Sequence, residues 1–593
     1  MRRCVELRSV ANHRSFSGLR RVLAVILLSL SCSGGAAFAE TSGVSVVRVD
    51  VPMRDGIRLA SDLYQKSPAD SLPVLLMRTP YNRKNAKPAA ERFAASGFHV
   101  LVQDCRGRFE SEGDFIPYNN EGQDGFDTIE WICRQPWCSG RVGMWGSSYV
   151  GATQWQAAAE HPPGLVTMIP TATWSSFYRN LYLGGAVRLS LISSWAGGNS
   201  KRPDGVQVPT DWNSIFMHLP LSTTDQRIGW SIPWLTGTLV HPEPDGYWKR
   251  LDLTDDITTI RMPIMHVVGV YDFFSRESVD NFVLMQKQAA DVPTRSRQHL
   301  ILGPWDHGTI GKSKVGERDF GPEAVWDATE ENLQWFNRTL KSDPSVRLSA
   351  LPAVRYFSMG ENTWKESSTW PPEGSEAFSY YLQSAGHANS RKGDGKLLET
   401  APKDDQVADQ FRADPANPTP AYTVTSERPI NASVWAPVDQ SRIEDRDDML
   451  VYTSEVLKSP LTFAGNPQAE LFVSTDTPDA DWVVRLTEVF PDGRSLNLAV
   501  GIQRGRYRSS LMTPETMKPG EVYRLLIDLG PVAAQIPAGH QLRVDISGAY
   551  YPLFDRNTNT GEGPFSSSTR VANESVIHSG EHLSRLILPV MKN

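Results

Sequence analysis

This 593-residue sequence has no excess of basic charge, and that absence is its most informative feature. Its formal net charge is −7 at pH 7, with 60 lysine and arginine residues against 67 aspartate and glutamate residues. Because binding to phosphate backbones or anionic lipid needs a positive surface, nucleic-acid and membrane-surface partners are disfavoured. The sequence also lacks internal repeats, and beyond its N-terminus no apolar run reaches the about 18 to 20 residues of a membrane span. We therefore expect no membrane span in the mature chain.

Cysteines and metal-ligand patterns are few. Only three of the five cysteines follow residue 39. Cys133 and Cys138 form a C-x4-C pair, which is not expected to bind zinc without a second pair. The acidic run 476–481 lacks EF-hand spacing, so no metal and no cofactor are predicted. Cys133 and Cys138 are close enough in sequence to form a disulfide in an oxidising compartment, whereas Cys105 follows a buried-looking strand and is predicted to be an inert thiol.

The N-terminus does contain an apolar run, and its context is that of a targeting signal. An arginine pair at 20–21 precedes VLAVILLSLSCSGGAAFA, which ends in an A-x-A cleavage pattern at 37–39. Residues 1–39 are therefore predicted to be a secretory signal peptide, and the product to be exported as a periplasmic or secreted protein. The arginine pair leaves two export routes open, the general secretory and the twin-arginine route.

The order of predicted strands and helices divides the mature chain into three regions. Strands alternate with helices over residues 40–175 and again over 256–349, which predicts one α/β core with a parallel sheet. Residues 176–255 lose this alternation and are rich in Trp, Gly and Pro, so we interpret them as a helical cap inserted into the core. Over residues 350–593, short alternating strands separated by turn residues predict an all-β sandwich of jelly-roll type.

The segment GMWGSSYVG, residues 143–151, contains the first candidate catalytic group. It joins an apolar strand to an Ala/Gln-rich helix. In a turn of the nucleophile-elbow type, a serine hydroxyl projects from the sheet and the next backbone N–H faces the reacting oxygen. Ser148 fits better than Ser147 because Gly146 lies two positions before it, although Gly151 comes one position later than the pattern requires. A serine at a helix start is more often a cap than a nucleophile, so a partner base is needed.

A partner acid and base follow in the order that an α/β-hydrolase requires, which is Ser, then Asp or Glu, then His. Asp272 ends the apolar run IMHVVGVYD, and His307 follows LILGPWD after a Gly-Pro break. Asp272 alone could cap the next helix, and His307 alone could be a loop histidine bonded to Asp306. The remaining histidines fit the order less well. Three residues in order, each at a strand exit, predict a triad of Ser148, Asp272 and His307.

A resemblance to a known family is carried by five segments in order, RTPYNRKN, VQDCRGRFESEGDF, GRVGMWGSSYVGATQWQAA, VGVYDFF and LGPWDHG. Over essentially the whole mature chain, the sequence resembles the CocE/NonD serine hydrolases, which include cocaine esterase, α-amino acid ester hydrolases and, more distantly, X-prolyl dipeptidyl aminopeptidases. The resemblance implies an α/β-hydrolase core, an inserted helical cap and a C-terminal jelly roll, with the same triad. It further implies an oxyanion hole formed by the Tyr81 hydroxyl and the backbone N–H of Tyr149.

The residues that select a substrate are less clearly marked. Aromatic residues that follow sheet strands are candidates for an apolar acyl or alcohol pocket, although such residues are as often core packing: Trp174, Phe177, Phe273 and Phe274. The amino-ester hydrolases hold a substrate ammonium with a carboxylate cluster, but the approximately matching position here is Asn180. Neither that cluster nor the N-terminal-amine site of an X-prolyl peptidase is evident.

The sequence therefore predicts an exported serine hydrolase that cleaves carboxylic esters or activated amides through an acyl-enzyme. The alternatives among enzymes are an amino-acid acylase and an X-prolyl dipeptidyl aminopeptidase. The alternative of another class is a carbohydrate- or surface-binding protein with a vestigial hydrolase domain, against which the ordered triad argues. The expected partner is a small ester or amide substrate, and homo-oligomerisation is left open.

Overall fold

The computed structural model describes residues 43–341, 348, 351–403, 407–426, 428–430 and 435–592. The predicted signal peptide lies outside the described residues. Within them, no helix is long and apolar enough to cross a membrane.

The described residues between 43 and 367 form the α/β core and its insertion. Their strands are β1 (Ser45–Pro52), β2 (Arg58–Gln65), β3 (Leu72–Thr79), β4 (His99–Asp104), β5 (Cys138–Ser147), β6 (Leu165–Thr171), β7 (Tyr182–Leu183), β8 (Ala186–Val187), β9 (Ile264–Gly269), β10 (Gln298–Gly303), β11 (Lys314–Val315), β12 (Arg318–Asp319), β13 (Val354–Ser358) and β14 (Thr363–Ser367). Their helices are α1 (Lys87–Ala95), α2 (Glu121–Cys133), α3 (Tyr149–Ala159), α4 (Phe177–Leu181), α5 (Leu189–Asn199), α6 (Trp212–Phe216), α7 (Thr224–Ile228), α8 (Pro233–Val240), α9 (Ser275–Gln288), α10 (Val292–Arg295) and α11 (Ala328–Leu340).

Ten of these strands form one sheet in the order β1-β2-β4-β3-β5-β6-β9-β10-β13-β14. Neighbours from β4 to β13 are parallel, and β1, β2 and β14 add antiparallel pairs at the edges. The central strands read as continuous apolar runs because helices cover both faces of a parallel sheet. Since parallel strands end at one edge, the segments that follow β3, β5, β9 and β10 meet there. The predicted α/β core is confirmed, with α9 as the crossover from β9 to β10.

The core sheet extends past residue 350, where the β region was predicted to begin. Val354 to Tyr356 in β13 pair in parallel with β10, and β14 returns antiparallel to β13. Short alternating strands look the same in sequence whether they complete one sheet or start another, because pairing partners are set by tertiary packing. The strands of the separate β domain begin only after these two.

The C-terminal domain is all-β, as predicted for a jelly roll. Its strands are β15 (Ser375–Gln383), β16 (Lys396–Leu398), β17 (Asp409–Ala413), β18 (Met449–Ser454), β19 (Leu461–Gly465), β20 (Gln468–Thr475), β21 (Asp481–Val489), β22 (Ser495–Arg504), β23 (Tyr523–Asp528), β24 (Val532–Ile536), β25 (Gln541–Ser547), β26 (Ala572–Ile577) and β27 (Arg585–Met591). All thirteen belong to one hydrogen-bonded network, in which the pair of β16 and β18 is parallel and the other strand pairs are antiparallel.

The insertion between β6 and β9 consists of short helices, α4 to α8, and the hairpin β7–β8. Its Trp-rich sequence builds an apolar cluster with residues of the core, including Trp174 and Phe274. The hairpin also docks on the β domain: Arg504 N–H donates to Gly184 O at 2.8 Å, and Val187 N–H donates to Asp555 Oδ1 at 2.8 Å. The cap is therefore held by both of its neighbours.

Candidate active site

Ser148 lies at the sharp turn between β5 and α3. Its backbone has φ 62° and ψ −129°, a left-handed conformation that costs a non-glycine residue on the order of 1 to 3 kcal/mol. Its N–H donates to Thr171 O at 3.0 Å, and its carbonyl accepts from the Thr173 hydroxyl at 2.7 Å. The neighbouring β6 segment thus holds the strained turn predicted for a nucleophile elbow.

Two glycines let strand and helix cross at this turn. A Cβ on Gly146 would lie 2.2 Å from Val150 Cγ1, and its φ is +134°. A Cβ on Gly151 would lie 2.5 Å from Thr173 Cβ. The second glycine comes one position later than the usual pattern because the close approach to the β6 segment occurs at Gly151.

His307 and Asp272 form a hydrogen-bonded pair at the same edge of the sheet. His307 Nδ1 lies 2.8 Å from Asp272 Oδ2, with the Asp272 side chain fully buried and the His307 side chain 24% exposed. Asp272 Oδ1 accepts the N–H of Phe274 at 2.8 Å, so one carboxylate holds both the imidazole and the loop that begins α9. Asp306 instead bonds Thr309 and the N–H of Gly308. The pairing leaves His307 Nε2 to face a substrate or nucleophile.

The Ser148 side chain is close to Tyr81 rather than bonded to His307. No hydrogen bond joins Ser148 and His307, both of which are among the described residues. Burial raises the pKa of Tyr81 to about 12, against hydrogen bonds with Trp195 and Ser148 that lower it. A proton transfer from Ser148 to His307 would need the two side chains to move closer, as catalytic hydrogen bonds often do when a substrate binds.

Tyr149, the first residue of α3, supplies a backbone N–H at the positive end of the helix. First-turn N–H groups have no helical acceptor and favour negative charge. The Tyr149 side chain is fully buried and donates its hydroxyl proton to Glu121 Oε1 at 2.8 Å, while Glu121 pairs with Arg78 at 2.9 Å. This buried network fixes the residue whose N–H was predicted to serve the oxyanion hole.

The four aromatic residues predicted for a pocket come together beside His307. All four are at most 6% exposed. The Phe273 ring lies 4.4 Å from the His307 ring, and Phe274 lies 5.1 Å from it. Trp174 contacts Phe274 at 4.4 Å and Phe177 at 6.3 Å between ring centroids. The set forms one apolar wall next to the imidazole.

Two further aromatic residues at the site were missed from the sequence. Trp195 of α5 donates its indole N–H to the Tyr81 hydroxyl at 3.0 Å and stacks on Tyr149 at 5.9 Å. Tyr118 stacks on Tyr149 at 4.2 Å and contacts Phe177 at 4.5 Å. Trp195 could be found only by knowing how the cap packs, because its helix lies outside the sheet.

The three cysteines in the described residues are free thiols. Burial raises the pKa of Cys105 well above its usual value, in keeping with an inert thiol. A hydrogen bond from Cys133 lowers the pKa of Cys138 to about 7, so the two sulfurs are neighbours. Their oxidation to a disulfide stays a prediction. No cluster of His, Cys, Asp or Glu suited to a metal occurs among the residues that the structure describes.

The sheet order, the elbow and the two loops that meet beside it are those of an α/β-hydrolase. Residues 55–309 match the family model of X-Pro dipeptidyl-peptidase (S15 family). Residues 347–587 match that of the X-Pro dipeptidyl-peptidase C-terminal non-catalytic domain. The second match covers the all-β domain that follows the core.

Similar proteins agree with this assignment. The chain is 34% identical over 576 residues to cocaine esterase of Rhodococcus sp. (strain MB1 Bresler), covering 92% of this chain and 98% of the esterase. It is 22% identical over 519 residues to Xaa-Pro dipeptidyl-peptidase of Lacticaseibacillus rhamnosus, covering 77% of this chain and 59% of the peptidase. The structure of an α-amino acid ester hydrolase superposes with a TM-score of 0.81 at 25% identity, covering 95% of this chain and 99% of the hydrolase. The chain belongs to the S15 and CocE/NonD family and is a serine hydrolase, as predicted.

Proposed function

We propose that this protein hydrolyses carboxylic esters through an acyl-enzyme formed on Ser148. His307, oriented by Asp272, takes the Ser148 proton as the hydroxyl oxygen bonds to the substrate carbonyl carbon. The carbonyl π electrons move to the oxygen, which accepts hydrogen bonds from the Tyr81 hydroxyl and the Tyr149 N–H. The oxyanion electrons then re-form the carbonyl as the bond to the alcohol oxygen breaks, and protonated His307 donates its proton to that leaving oxygen. Water repeats the sequence on the acyl-enzyme and releases the carboxylic acid.

One observation carries this proposal: Ser148 has a strained left-handed backbone at the edge where the Asp272–His307 pair also lies. A serine that only capped α3 would need no such strain, and its side chain makes no capping hydrogen bond. Strain of this kind persists at sites where it positions a reacting group. The exposure of His307 agrees with a group that contacts substrate.

The surroundings favour an ester that has an apolar acyl or alcohol group and carries no ammonium. The wall of Trp174, Phe177, Phe273 and Phe274 lies beside His307, and aromatic walls bind apolar groups through buried area. Asn180 is buried, and its carbonyl accepts a hydrogen bond from Arg188. A cation next to this position disfavours a substrate ammonium, which argues against amino-ester hydrolysis.

A serine-reactive fluorophosphonate probe followed by an ester and amide panel would test the function. We expect the probe to label Ser148 and aryl esters to be cleaved faster than X-Pro amides. A protein that cleaves X-Pro amides faster than every ester would instead support the peptidase, which the Lacticaseibacillus relative keeps as the second candidate. An unlabelled protein without turnover would favour a binding function.

We also propose that the protein is exported and that Cys133 and Cys138 are oxidised to a disulfide there. The support is the signal-like segment at residues 1–39 and the contact between the two sulfurs. Mass mapping without reduction should find the linked peptides in protein from the native source. Free alkylation of both thiols would contradict the disulfide, and an intact segment 1–39 would contradict export through a cleaved signal.

A further inference from the structure

A cavity lies behind the triad acid, where core, cap and β domain meet. It is a small cavity of about 40 Å³. Asp272 and Phe273 line it from the core, Arg188 from the cap and Trp435 from the β domain. The proposed reaction uses Asp272 but leaves the rest of this cavity without a role.

Arg188 has an open edge in this cavity. The residue is 4% exposed, and its hydrogen bonds within the described residues all run from Nη1 to the Oδ1 and backbone O of Asn180. Nε is buried without a partner, and no described carboxylate lies within ion-pair distance. The guanidinium carbon lies 5.4 Å from the Trp435 ring, which covers one face. The Nε–Nη2 edge, which can clasp a carboxylate with two parallel hydrogen bonds, is therefore vacant.

Two other buried arginines of the described residues are balanced by acids. Arg78 lies 2.9 Å from Glu121, and Arg504 lies 2.9 Å from Asp481. For Arg188, burial and the neighbouring Arg276 lower the pKa to about 9, against the attraction of Asp272 and Glu277. A guanidinium resists deprotonation, so a buried one without a counter-ion is costly unless an anion joins it.

A second lining residue offers an unused hydroxyl. Tyr271 is 3% exposed, and its hydroxyl has no partner among the described residues. Arg276 also lines the cavity, but its guanidinium is engaged by Asp528 and by Val500 O. The lining therefore offers two hydrogen-bond donors, the guanidinium edge and this hydroxyl, beside apolar side chains such as Leu498, and two donors suit a small organic anion.

We propose that this cavity binds a carboxylate, which the Nε–Nη2 edge of Arg188 clasps over the ring of Trp435. The carboxylate belongs either to a free organic acid or to the acyl chain of the substrate. The second case rests on the proposed ester hydrolysis. Because the cavity adjoins Asp272 and Phe273, a carboxylate there lies next to the groups that hold His307.

The substrate case is tested with two esters that differ mainly in charge, p-nitrophenyl butyrate and mono-p-nitrophenyl succinate. We expect Arg188→Gln to lower kcat/KM for the succinate ester at least tenfold and for the butyrate ester less than threefold, with Arg188→Lys in between. Arg556→Gln is the matched control, because Arg556 is also buried and unpaired but donates from Nη1 and Nη2 to the carbonyls of Pro415 and Met217. It should affect both esters alike.

The free-acid case is tested with acetate on the unmodified protein, which needs no variant to fold. Acetate should raise Tm or change the butyrate rate saturably, and acetamide, its neutral isostere, should not. Arg556→Gln should keep the acetate response and Arg188→Gln should lose it. If acetate competitively inhibits hydrolysis of the succinate ester, the pocket binds the acyl chain of the substrate. If acetate changes Tm or the butyrate rate but the enzyme does not prefer the succinate ester, the pocket binds a free acid.

Two results together would overturn the proposal. These are an acetate response equal to that of acetamide, and an unchanged ratio of the two ester rates in Arg188→Gln. If the protein cleaves no ester, the proposed function fails, and the acetate response of Tm still decides whether the cavity binds a carboxylate.

Discussion

Two His–Asp pairs of equal length lie within the described residues, one in each half of the chain, and we propose that only the core pair takes part in catalysis. In the core, His307 Nδ1 lies 2.8 Å from Asp272, and in the β domain His578 Nε2 lies 2.8 Å from Asp409. The core imidazole is 24% exposed, whereas both members of the second pair are fully buried. A His–Asp contact therefore does not by itself indicate an active site, because the imidazole must also be accessible to solvent.

A serine accompanies each pair, and its geometry separates the two. Ser384 donates to Asp409 at 2.6 Å and lies 3.4 Å from His578 Nε2, the same nitrogen that faces Asp409. His578 Nδ1 has no partner among the described residues. A triad needs the acid on one imidazole nitrogen and the serine on the other, so that a proton can be taken and returned. In the core pair His307 Nε2 has no hydrogen bond within the described residues, and the strained Ser148 lies at the same edge of the sheet.

The largest expected effect is on the two serines. Ser148→Ala should lower turnover by about 10⁴-fold and abolish fluorophosphonate labelling, because the nucleophile is lost. Ser384→Ala should keep the turnover of the folded enzyme within about twofold. Circular dichroism and protein absorbance normalise both rates to the amount of folded protein. Labelling that survives in Ser148→Ala and disappears in Ser147→Ala would move the nucleophile to Ser147.

Removing the phenol donor should have the next largest effect. Tyr81→Phe deletes one hydrogen bond to the developing oxyanion, a loss that commonly costs about 2.7 to 4 kcal/mol, or 10² to 10³ in kcat. The fold and probe labelling of Ser148 should be retained. Wild-type turnover in this variant would remove Tyr81 from the site, and a large drop in Tm would indicate a structural role instead.

The contact between the cap and Tyr81 should matter less. Trp195 donates to the Tyr81 hydroxyl, which leaves the tyrosine proton available for another acceptor, and we propose that this acceptor is the oxyanion. Trp195→Phe keeps the ring but removes this donor, and we expect kcat to fall about tenfold with KM little changed. Trp234→Phe, which changes a ring that packs on Trp195, is the control. In a Tyr81→Phe background, Trp195→Phe should cause no further loss of kcat, because the hydroxyl that Trp195 positions is already absent. A further loss of kcat in the double variant would contradict a positioning role for Trp195.

The second His–Asp pair should affect stability rather than turnover. Burial alone would raise the pKa of Asp409, but hydrogen bonds from His578, Ser384, Ala388 N–H and Tyr452 outweigh burial and lower it. A carboxyl whose folded pKa is depressed stabilises above its unfolded pKa, near 3.8, and loses that contribution as the pH falls through the folded value.

Asp409→Asn should therefore lower the free energy of unfolding by about 2 kcal/mol at pH 7 while the folded enzyme keeps its turnover. The difference from wild type should shrink as the pH falls below about 4. Urea unfolding across pH measures both. A difference that is constant down to pH 2 would contradict this role of the ionised Asp409.

How much of the fold and of the candidate site could be predicted from the sequence depends on which contacts follow from local patterns. Ser148, Asp272 and His307 were predicted because each ends a strand, and parallel strands bring their ends together by a simple topological rule. Tyr81 was predicted only from the family resemblance, because no local pattern in its turn indicates an oxyanion hydrogen-bond donor. The His578–Asp409 pair joins residues 169 apart through β-strand pairing that no local pattern specifies. Trp195 likewise depends on cap packing.

The docking of the β7–β8 hairpin on the β domain bears on how this enzyme can be cut or recombined. Val187 and Asp555 exchange two backbone-anchored hydrogen bonds, and Tyr507 donates to Glu243 of the cap at 2.7 Å. A truncation after the core would strip these anchors from the insertion that carries Trp195 and Arg188. In chimeras the insertion and the C-terminal domain should therefore be exchanged as one unit, although Val187 and Asp555 are 368 residues apart in sequence.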